Sequence, residues 1–304
     1  MARIVVTGGK GVVGTPLVAE LASRGHHVHI ADLGHSPLPN YSRCDIGEFR
    51  QIERVILEQL PQVVYHLAGE FGRMNGEDYY ESMWKTNAVG TKNLLKLQEK
   101  HRFRAVYFSS SEIYGDYPEL MTEDVPDTVP LKQMNDYAIS KWVNELQVLN
   151  SAARTGTESV RVRLFNTYGP GETYSTYRSV ICRFAYCALF DLPYTVYENH
   201  HRSFTYIDDC VRTLANITDY FRPGEAYNVS GLEYWSIKQL SDAILKAAGK
   251  SDKLVKYEKT EHMNTLNKRG STEKAVAHLK HDIRVKLAEG IPLTVEWMRK
   301  HYAR

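Results

Sequence analysis

The 304-residue sequence lacks a long hydrophobic run, an excess of charge of one sign and any internal repeat or low-complexity segment. No stretch approaches 18 consecutive apolar residues, so we expect no transmembrane helix and no membrane partner. The net charge of +2 gives no reason to expect nucleic acid as a partner. Because the chain opens directly on a strand-like pattern, we also expect no secretory signal.

Cysteine is scarce as well, with four residues whose spacing matches no metal-binding motif. They are Cys44, Cys182, Cys187 and Cys210. We therefore predict reduced thiols, a cytoplasmic location and no bound metal.

The pattern that is present is an alternation of strands and helices through the first half of the chain. It predicts an α/β fold, a doubly wound parallel sheet with helices on both faces. We assign this sheet to residues 1–168, with a returning strand near 226–230, and a smaller, irregular ligand-binding lobe to residues 169–304. Long helices are predicted at residues 79–101 and 137–154.

A glycine-rich turn follows the first strand. Residues 7–14 read TGGKGVVG and contain both G-x-G-x-x-G and G-x-x-G-x-x-G. Glycines at these positions permit the tight turn, let the backbone approach a pyrophosphate and let the next helix pack on the strand. The helix N-terminus then offers free N–H groups to the phosphates. The predicted cofactor contacts here are Gly8, Gly11, Val12, Val13 and Gly14.

An acidic residue, Asp32, ends the second predicted strand. It could simply cap a turn, but a carboxylate at this place hydrogen-bonds a ribose 2′-hydroxyl and repels a 2′-phosphate. Strand, turn, helix, strand and acid in this order predict a dinucleotide cofactor, NAD rather than NADP.

Two further patterns carry chemistry. The strand at residues 105–109 runs into three serines and Glu112, and a later helical pattern contains Tyr137 and Lys141. Positions i and i+4 share one face of a helix, so the lysine ammonium can stabilise a tyrosine phenolate. Tyr137 could then accept a hydroxyl proton. Either pattern alone arises by chance, but both following a dinucleotide fold predict an oxidoreductase step.

With these motifs in this order, the chain resembles the extended short-chain dehydrogenases/reductases of the nucleotide-sugar epimerase/dehydratase group, over nearly its whole length. The resemblance implies that Ser110, Tyr137 and Lys141 are catalytic. It implies further cofactor contacts at Asp45, Ile46, Leu67, Ala68, Gly69, Asn87 and Ser109.

The second half resembles the family on the substrate side. Residues 163–170 read RLFNTYGP and resemble its R-x-F-N-x-Y-G-P segment. The resemblance implies a nucleoside-diphosphate sugar as substrate, with Asn166 as a contact and with Arg202 and Arg269 on the diphosphate, since an arginine fork fits phosphate oxygens. Three further candidate substrate contacts are Glu70, Arg73 and Arg178.

Some positions depart from the family pattern. Glu172 stands where many members carry a basic or neutral residue, and Ser271 replaces the usual aspartate. The adjacent His200 and His201 have no suitably spaced carboxylate or cysteine to complete a metal site, so packing or a sugar hydroxyl contact is expected.

Glu112 bears on the outcome of the reaction. With Ser111 it resembles the acid–base residues of 4,6-dehydratases, in which a glutamate removes the C5 proton after C4 oxidation, and also the same motif in UDP-glucuronate decarboxylases. Our order of preference is dehydratase, then 4-epimerase, then decarboxylase. A protein that only senses NAD is the non-enzyme alternative.

The two long predicted helices resemble those that form the family's homodimer, so we expect a homodimer. Their apolar residues are more numerous than one helix face needs, and they include Leu94, Leu97, Trp142, Leu146 and Leu149.

Overall fold

The computed structural model describes residues 1–303, and Arg304, the last residue of the predicted lobe 169–304, lies outside the described residues. Its strands are β1 (Arg3–Thr7), β2 (His27–Asp32), β3 (Tyr41–Arg43), β4 (Val63–His66), β5 (Arg104–Ser110), β6 (Ser159–Leu164), β7 (Thr167–Tyr168), β8 (Tyr194–Tyr197), β9 (His201–Ser203), β10 (Thr205–Tyr206), β11 (Ala226–Val229), β12 (Tyr234–Ser236), β13 (Val255–Glu258) and β14 (Asn267–Lys268).

Helices alternate with these strands. They are α1 (Gly14–Ser23), α2 (Phe49–Gln59), α3 (Arg73–Asp78), α4 (Tyr80–Trp84), α5 (Gly90–His101), α6 (Val125–Thr128), α7 (Asp136–Thr155), α8 (Val180–Leu189), α9 (Ile207–Asp219), α10 (Ile237–Ala248), α11 (Glu273–Leu279) and α12 (Leu287–Tyr302), with a π-helical turn at Lys85–Val89 and 3₁₀ turns at Ser111–Tyr114 and Asp252–Leu254.

Seven parallel strands form the main sheet, in the order β11-β6-β5-β4-β1-β2-β3. Its central strands are apolar on both faces, as expected when helices cover both sides. Val6 and Val106 pack into one buried cluster, and Val5 and Ala105 into another. The predicted doubly wound parallel sheet is therefore confirmed, including the returning strand, which is β11.

The predicted helix at residues 79–101 is wrong as a single element. The chain forms α4, then a π-helical turn, then α5. Asn87 lies in the π turn and is buried, with its side-chain amide hydrogen-bonded to the main chain of Glu70. A π turn adds a residue to the helical repeat, and such turns are often found at functional sites.

Two helices of the second half extend beyond the sequence prediction. The pattern did not predict α8, whose N-terminus is capped by the Ser179 hydroxyl accepting a hydrogen bond from Cys182 N. For the terminal helix the apolar spacing predicts residues 293–302, but α12 begins at Leu287 and carries Pro292 inside it at the cost of one backbone hydrogen bond.

The chain after residue 169 adds small sheets beyond the main one. In one of them β9 pairs with β12 and with β14, which sets Arg202 opposite Lys268. No helix within residues 1–303 is both long enough and apolar enough to cross a membrane.

Candidate active site

A cavity of about 700 Å³ lies at the carboxyl ends of the main-sheet strands, between them and the small sheets. This is the place where parallel α/β sheets bind ligands. Nearly all the site residues predicted from the sequence line it. They are Gly8, Gly11, Val12, Val13, Gly14, Asp32, Asp45, Ile46, Leu67, Ala68, Gly69, Glu70, Arg73, Ser109, Ser110, Ser111, Glu112, Tyr137, Lys141, Asn166, Arg178 and Arg202.

The glycine turn leaves no room for side chains. Gly8 has φ +71°, and a Cβ there would lie 2.6 Å from the backbone nitrogen of Ala68. A Cβ on Gly14 would lie 2.2 Å from the carbonyl oxygen of Gly8. No side chain caps the N-terminus of α1. Thr15 N already donates to Gly11 O at 2.9 Å and Pro16 has no N–H, so Gly14 offers the first N–H of this helix to a phosphate. Together with Asp32 at the end of β2, this turn fits the adenosine and pyrophosphate of NAD.

Asn87 does not line the cavity. Its Oδ1 accepts a hydrogen bond from Glu70 N at 2.9 Å, and its Nδ2 donates to Glu70 O at 2.9 Å and to Ser140 Oγ at 3.0 Å. These bonds tie the segment after β4 to helix α7. Asn87 thus positions the wall formed by Leu67, Ala68 and Gly69.

Tyr137 and Lys141 lie one turn apart on α7, and both are buried. Lys141 Nζ lies 5.9 Å from the centroid of the Tyr137 ring and donates a hydrogen bond to Phe108 O at 3.1 Å. Burial lowers the pKa of Lys141 to about 8. Burial raises the pKa of Tyr137, and a hydrogen bond with Ser110 partly offsets this effect. The arrangement places a hydroxyl, a phenol and an ammonium together, as proton abstraction from a substrate hydroxyl requires.

Glu112 forms an ion pair with Lys268, a residue that the sequence analysis did not select. Lys268 Nζ donates to Glu112 Oε1, and the lysine side chain is 3% exposed. Burial raises the pKa of Glu112, but Lys268, Arg202 and Arg73 outweigh this effect and hold it below its usual value. Glu112 is therefore a carboxylate within the cavity.

Arg269, predicted to hold the diphosphate, is exposed and does not line the cavity. Its guanidinium lies 5.8 Å from the centroid of the Tyr234 ring. Neighbouring side chains of an extended chain point in opposite directions, so only one of two adjacent cations can face the site. Strand alternation through residues 267 and 268 is the signal that could have selected Lys268.

Arg202 is held by neutral oxygen atoms. Its Nη1 donates to His201 O at 2.9 Å and to Leu266 O at 2.7 Å, and its Nη2 donates to Asn264 Oδ1 at 3.2 Å. Burial lowers the pKa of Arg202 to about 10, so the guanidinium remains charged at neutral pH. Nη2 also donates to Thr265 O, so the four terminal N–H groups are all engaged and Arg202 can attract an anionic ligand through its charge, not through a bidentate contact.

The two adjacent histidines differ in their surroundings, since His200 lines the cavity and His201 does not. Because Glu261 N donates to His200 Nε2 at 2.9 Å, His200 carries its proton on Nδ1 and donates it to Thr265 O at 3.0 Å. Burial lowers the pKa of His200 to about 4. His201 stacks on the Tyr234 ring. Within residues 1–303, no cluster of three or more His, Cys, Asp or Glu side chains is placed to hold a metal ion.

The remaining polar lining comes from both lobes. Arg178 lies 4.6 Å from the centroid of the Phe71 ring, and Arg73 pairs with Glu261 across the cavity. Glu70 accepts a hydrogen bond from Asn75 Nδ2 at 3.1 Å. Ser179 donates two hydrogen bonds to the Glu172 carboxylate, one from its backbone N–H and one from its hydroxyl. Burial raises the pKa of Glu172.

Comparison with known proteins identifies the family of the chain. Residues 4–230 match the sequence model of the NAD dependent epimerase/dehydratase family. The chain is 29% identical to the UDP-N-acetyl-alpha-D-glucosaminuronate decarboxylase of Bacillus cytotoxicus, with 98% of each protein covered. It is 28% identical to the dTDP-glucose 4,6-dehydratase of Streptomyces niveus, covering 99% of this chain and 94% of that protein.

The fold is similar to that of the Thermus thermophilus UDP-glucose 4-epimerase, solved in complex with NAD. The TM-score is 0.86 at 26% identity, covering 98% of this chain and 99% of the other.

Proposed function

This chain belongs to the NAD-dependent epimerase/dehydratase family, and from that premise we propose that it oxidises the C4 hydroxyl of a nucleoside-diphosphate hexose. When bound, NAD⁺ supplies the hydride acceptor. Tyr137 accepts the hydroxyl proton, the Lys141 ammonium stabilises the resulting phenolate, and Ser110 holds the substrate oxygen by a hydrogen bond. The observation that supports these roles is the convergence of the three side chains in one cavity with the glycine turn.

We assign the diphosphate to the cationic side of the cavity. Arg202 has a buried guanidinium bonded to neutral oxygens, and Arg178 lies over an aromatic ring. Arg202 attracts the phosphates by its charge, and Arg178 can add bidentate contacts to their oxygens. In this scheme residues 1–168 bind the cofactor, and the lobe that begins at residue 169 supplies most contacts to the sugar nucleotide.

For the step that follows C4 oxidation, we propose that the enzyme eliminates water from the sugar and is therefore a 4,6-dehydratase. A ketone at C4 acidifies the C5 proton, and removal of that proton requires a base on the sugar side of Tyr137. Glu112 is such a base, because it lines the cavity and its neighbouring cations keep it ionised. Simple 4-epimerisation requires no carboxylate at this position.

Decarboxylation of a hexuronate is the second candidate. It is favoured by the cations near Glu112, since Lys268 and Arg73 could bind a sugar carboxylate. It is also the activity in the name of the Bacillus cytotoxicus relative. A ketone next to the carbon that bears the carboxylate promotes loss of CO₂ without a protein base, so Glu112 would then have no acid–base role.

The test is a panel of UDP-glucose, dTDP-glucose, CDP-glucose, GDP-mannose and UDP-glucuronate, with products analysed by NMR in deuterated water. We expect a 4-keto-6-deoxy sugar with solvent deuterium at C5. Release of CO₂ from UDP-glucuronate would show that the protein is a decarboxylase and not a dehydratase. An epimer that keeps its C6 hydroxyl and carries no deuterium would show that it is an epimerase, and no reduction of bound NAD by any sugar would favour the NAD-sensing alternative.

We further propose that the protein is a cytoplasmic homodimer. The four cysteines are free and buried, as is usual in a reducing compartment. Ile139 and Leu146 lie seven residues apart on α7 and are 40% and 47% exposed, which suits a contact with a second copy of the helix.

A further inference from the structure

We propose that Lys268 is the general acid that protonates the departing C6 hydroxyl in the elimination step. This inference rests on the proposed dehydratase function and names the second proton-transfer group of that reaction.

The geometry supports a paired role for Lys268 and Glu112. Glu112 comes from the 3₁₀ turn after β5 and Lys268 from β14, yet the two are hydrogen-bonded and line the same cavity as Tyr137. Elimination across C5–C6 removes a proton from one carbon while a hydroxyl leaves the adjacent carbon. A base and an acid in direct contact have the spacing that adjacent carbons require.

Lys268 is also the better acid of the two candidates. Ser111 is the other candidate, because it precedes Glu112 and lines the cavity, but a serine hydroxyl gives up a proton far less readily than an ammonium. Burial lowers the pKa of Lys268 to about 8, although the Glu112 carboxylate opposes this effect. A group with a pKa near the working pH is an efficient general acid.

The step balances within this pair. Glu112 takes the C5 proton, the C5–H electron pair forms the C5–C6 double bond, and the C6–O bond breaks with its electrons remaining on oxygen. The Lys268 proton joins that oxygen and water leaves. Glu112 is then a neutral acid beside a neutral amine, so transfer of one proton between them restores the carboxylate and the ammonium.

Three variants and two substrates test the assignment. Lys268→Met removes the acid, and Lys268→Arg keeps the charge with a group that does not give up its proton. Lys256→Met is the matched control, since Lys256 is an exposed lysine of β13 paired with Glu258. Each is assayed with the panel sugar that the wild type dehydrates and with its 6-deoxy-6-fluoro analogue, whose fluoride leaves without prior protonation.

We expect Lys268→Met and Lys268→Arg to reduce bound NAD normally and to lose water elimination on the order of 10²–10⁴-fold. Fluoride release, followed by ¹⁹F NMR, should fall by less than about tenfold, because the base at C5 is retained. Normal NAD reduction also shows that each variant is folded. Lys256→Met should match the wild type on both substrates.

Two results would overturn the assignment. Equal losses of water and fluoride elimination would mean that Lys268 acts only by positioning Glu112. Full recovery in Lys268→Arg would mean that only the positive charge is needed. In either case the dehydratase function would stand, whereas a wild type that dehydrates no panel sugar would remove both proposals together.

Discussion

At the residue scale, the 3₁₀ turn Ser111–Tyr114 depends on a buried polar network behind it. Arg163 is fully buried and makes two hydrogen bonds to Glu145, at 2.9 and 2.8 Å. Its Nη1 donates to Tyr114 Oη at 2.8 Å, and the Tyr114 hydroxyl donates to Asn228 Oδ1 at 2.8 Å. Because Tyr114 ends the 3₁₀ turn that carries Glu112, these bonds join the turn to α7, β6 and β11.

Glu145→Gln should destabilise the protein by about 3–5 kcal/mol, because it leaves Arg161 and Arg163 buried without their counter-ion. Urea unfolding measures the change. Glu296→Gln, at an exposed ion pair of α12, should change the free energy of unfolding by less than about 1 kcal/mol. A loss for Glu145→Gln as small as that of the control would show that the network does not stabilise the fold.

The same carboxylate predicts sensitivity to acid. Burial acts to raise the pKa of Glu145, but Arg163 and Arg161 outweigh it, so the folded-state pKa lies below the unfolded value. Stability from this group is therefore present above the unfolded pKa of about 4.3 and is lost as the pH falls through the folded value. Thermal melts from pH 7 to pH 3 should show a steeper acid loss for the wild type than for Glu145→Gln, and parallel curves would contradict this.

Tyr137→Phe should lower turnover on the order of 10²–10⁴-fold, because it removes the group that accepts the C4 hydroxyl proton. NAD affinity and melting temperature should stay within error of the wild type, which separates a chemical defect from a folding defect. Turnover near the wild-type rate would exclude Tyr137 as the base.

At the element scale, the π turn between α4 and α5 positions the cavity wall formed by Leu67, Ala68 and Gly69. The π turn directs Asn87 inward, where its amide holds both backbone groups of Glu70. Asn87→Ala should cost about 1–3 kcal/mol and weaken NAD binding, because it removes those bonds. Asn150→Ala, at an exposed position of α7, is the control. Calorimetry with NAD measures the effect, and unchanged affinity in Asn87→Ala would refute the positioning role.

Local pattern predicted the elements that repeat regularly and missed those fixed by distant contacts. Six of the seven strands of the main sheet and the Tyr137–Lys141 pair follow from periodicity and spacing along the chain, whereas the three-residue β3 was not predicted. The π turn does not follow from spacing, because it depends on a bond between Asn87 and the chain at Glu70. Lys268 was missed because its role depends on Glu112, which is distant in sequence and adjacent only in the fold.

At the scale of the whole molecule, the proposed dimer depends on fewer residues than the sequence suggested. Leu94 and Leu97 are buried against the main sheet and are not available to a partner. Leu146→Glu should therefore yield a monomer by light scattering at micromolar concentration, because it places a charge in the proposed contact. Leu57→Glu, at an exposed position of α2, should leave the mass unchanged. A wild type that is already monomeric would contradict the proposal.

The strand order has a consequence for synthesis on the ribosome. Strand β6 ends at Leu164, but its outer neighbour β11 begins only at Ala226, so one edge of β6 must wait unpaired while the intervening chain emerges. Unpaired strand edges promote aggregation, and charged side chains that point inward from such a strand protect against it. Arg161 and Arg163 are such charges, and their partner Glu145 on α7 is made before them. We expect these buried ion pairs to protect the incomplete sheet from aggregation during synthesis, as well as to stabilise the folded protein.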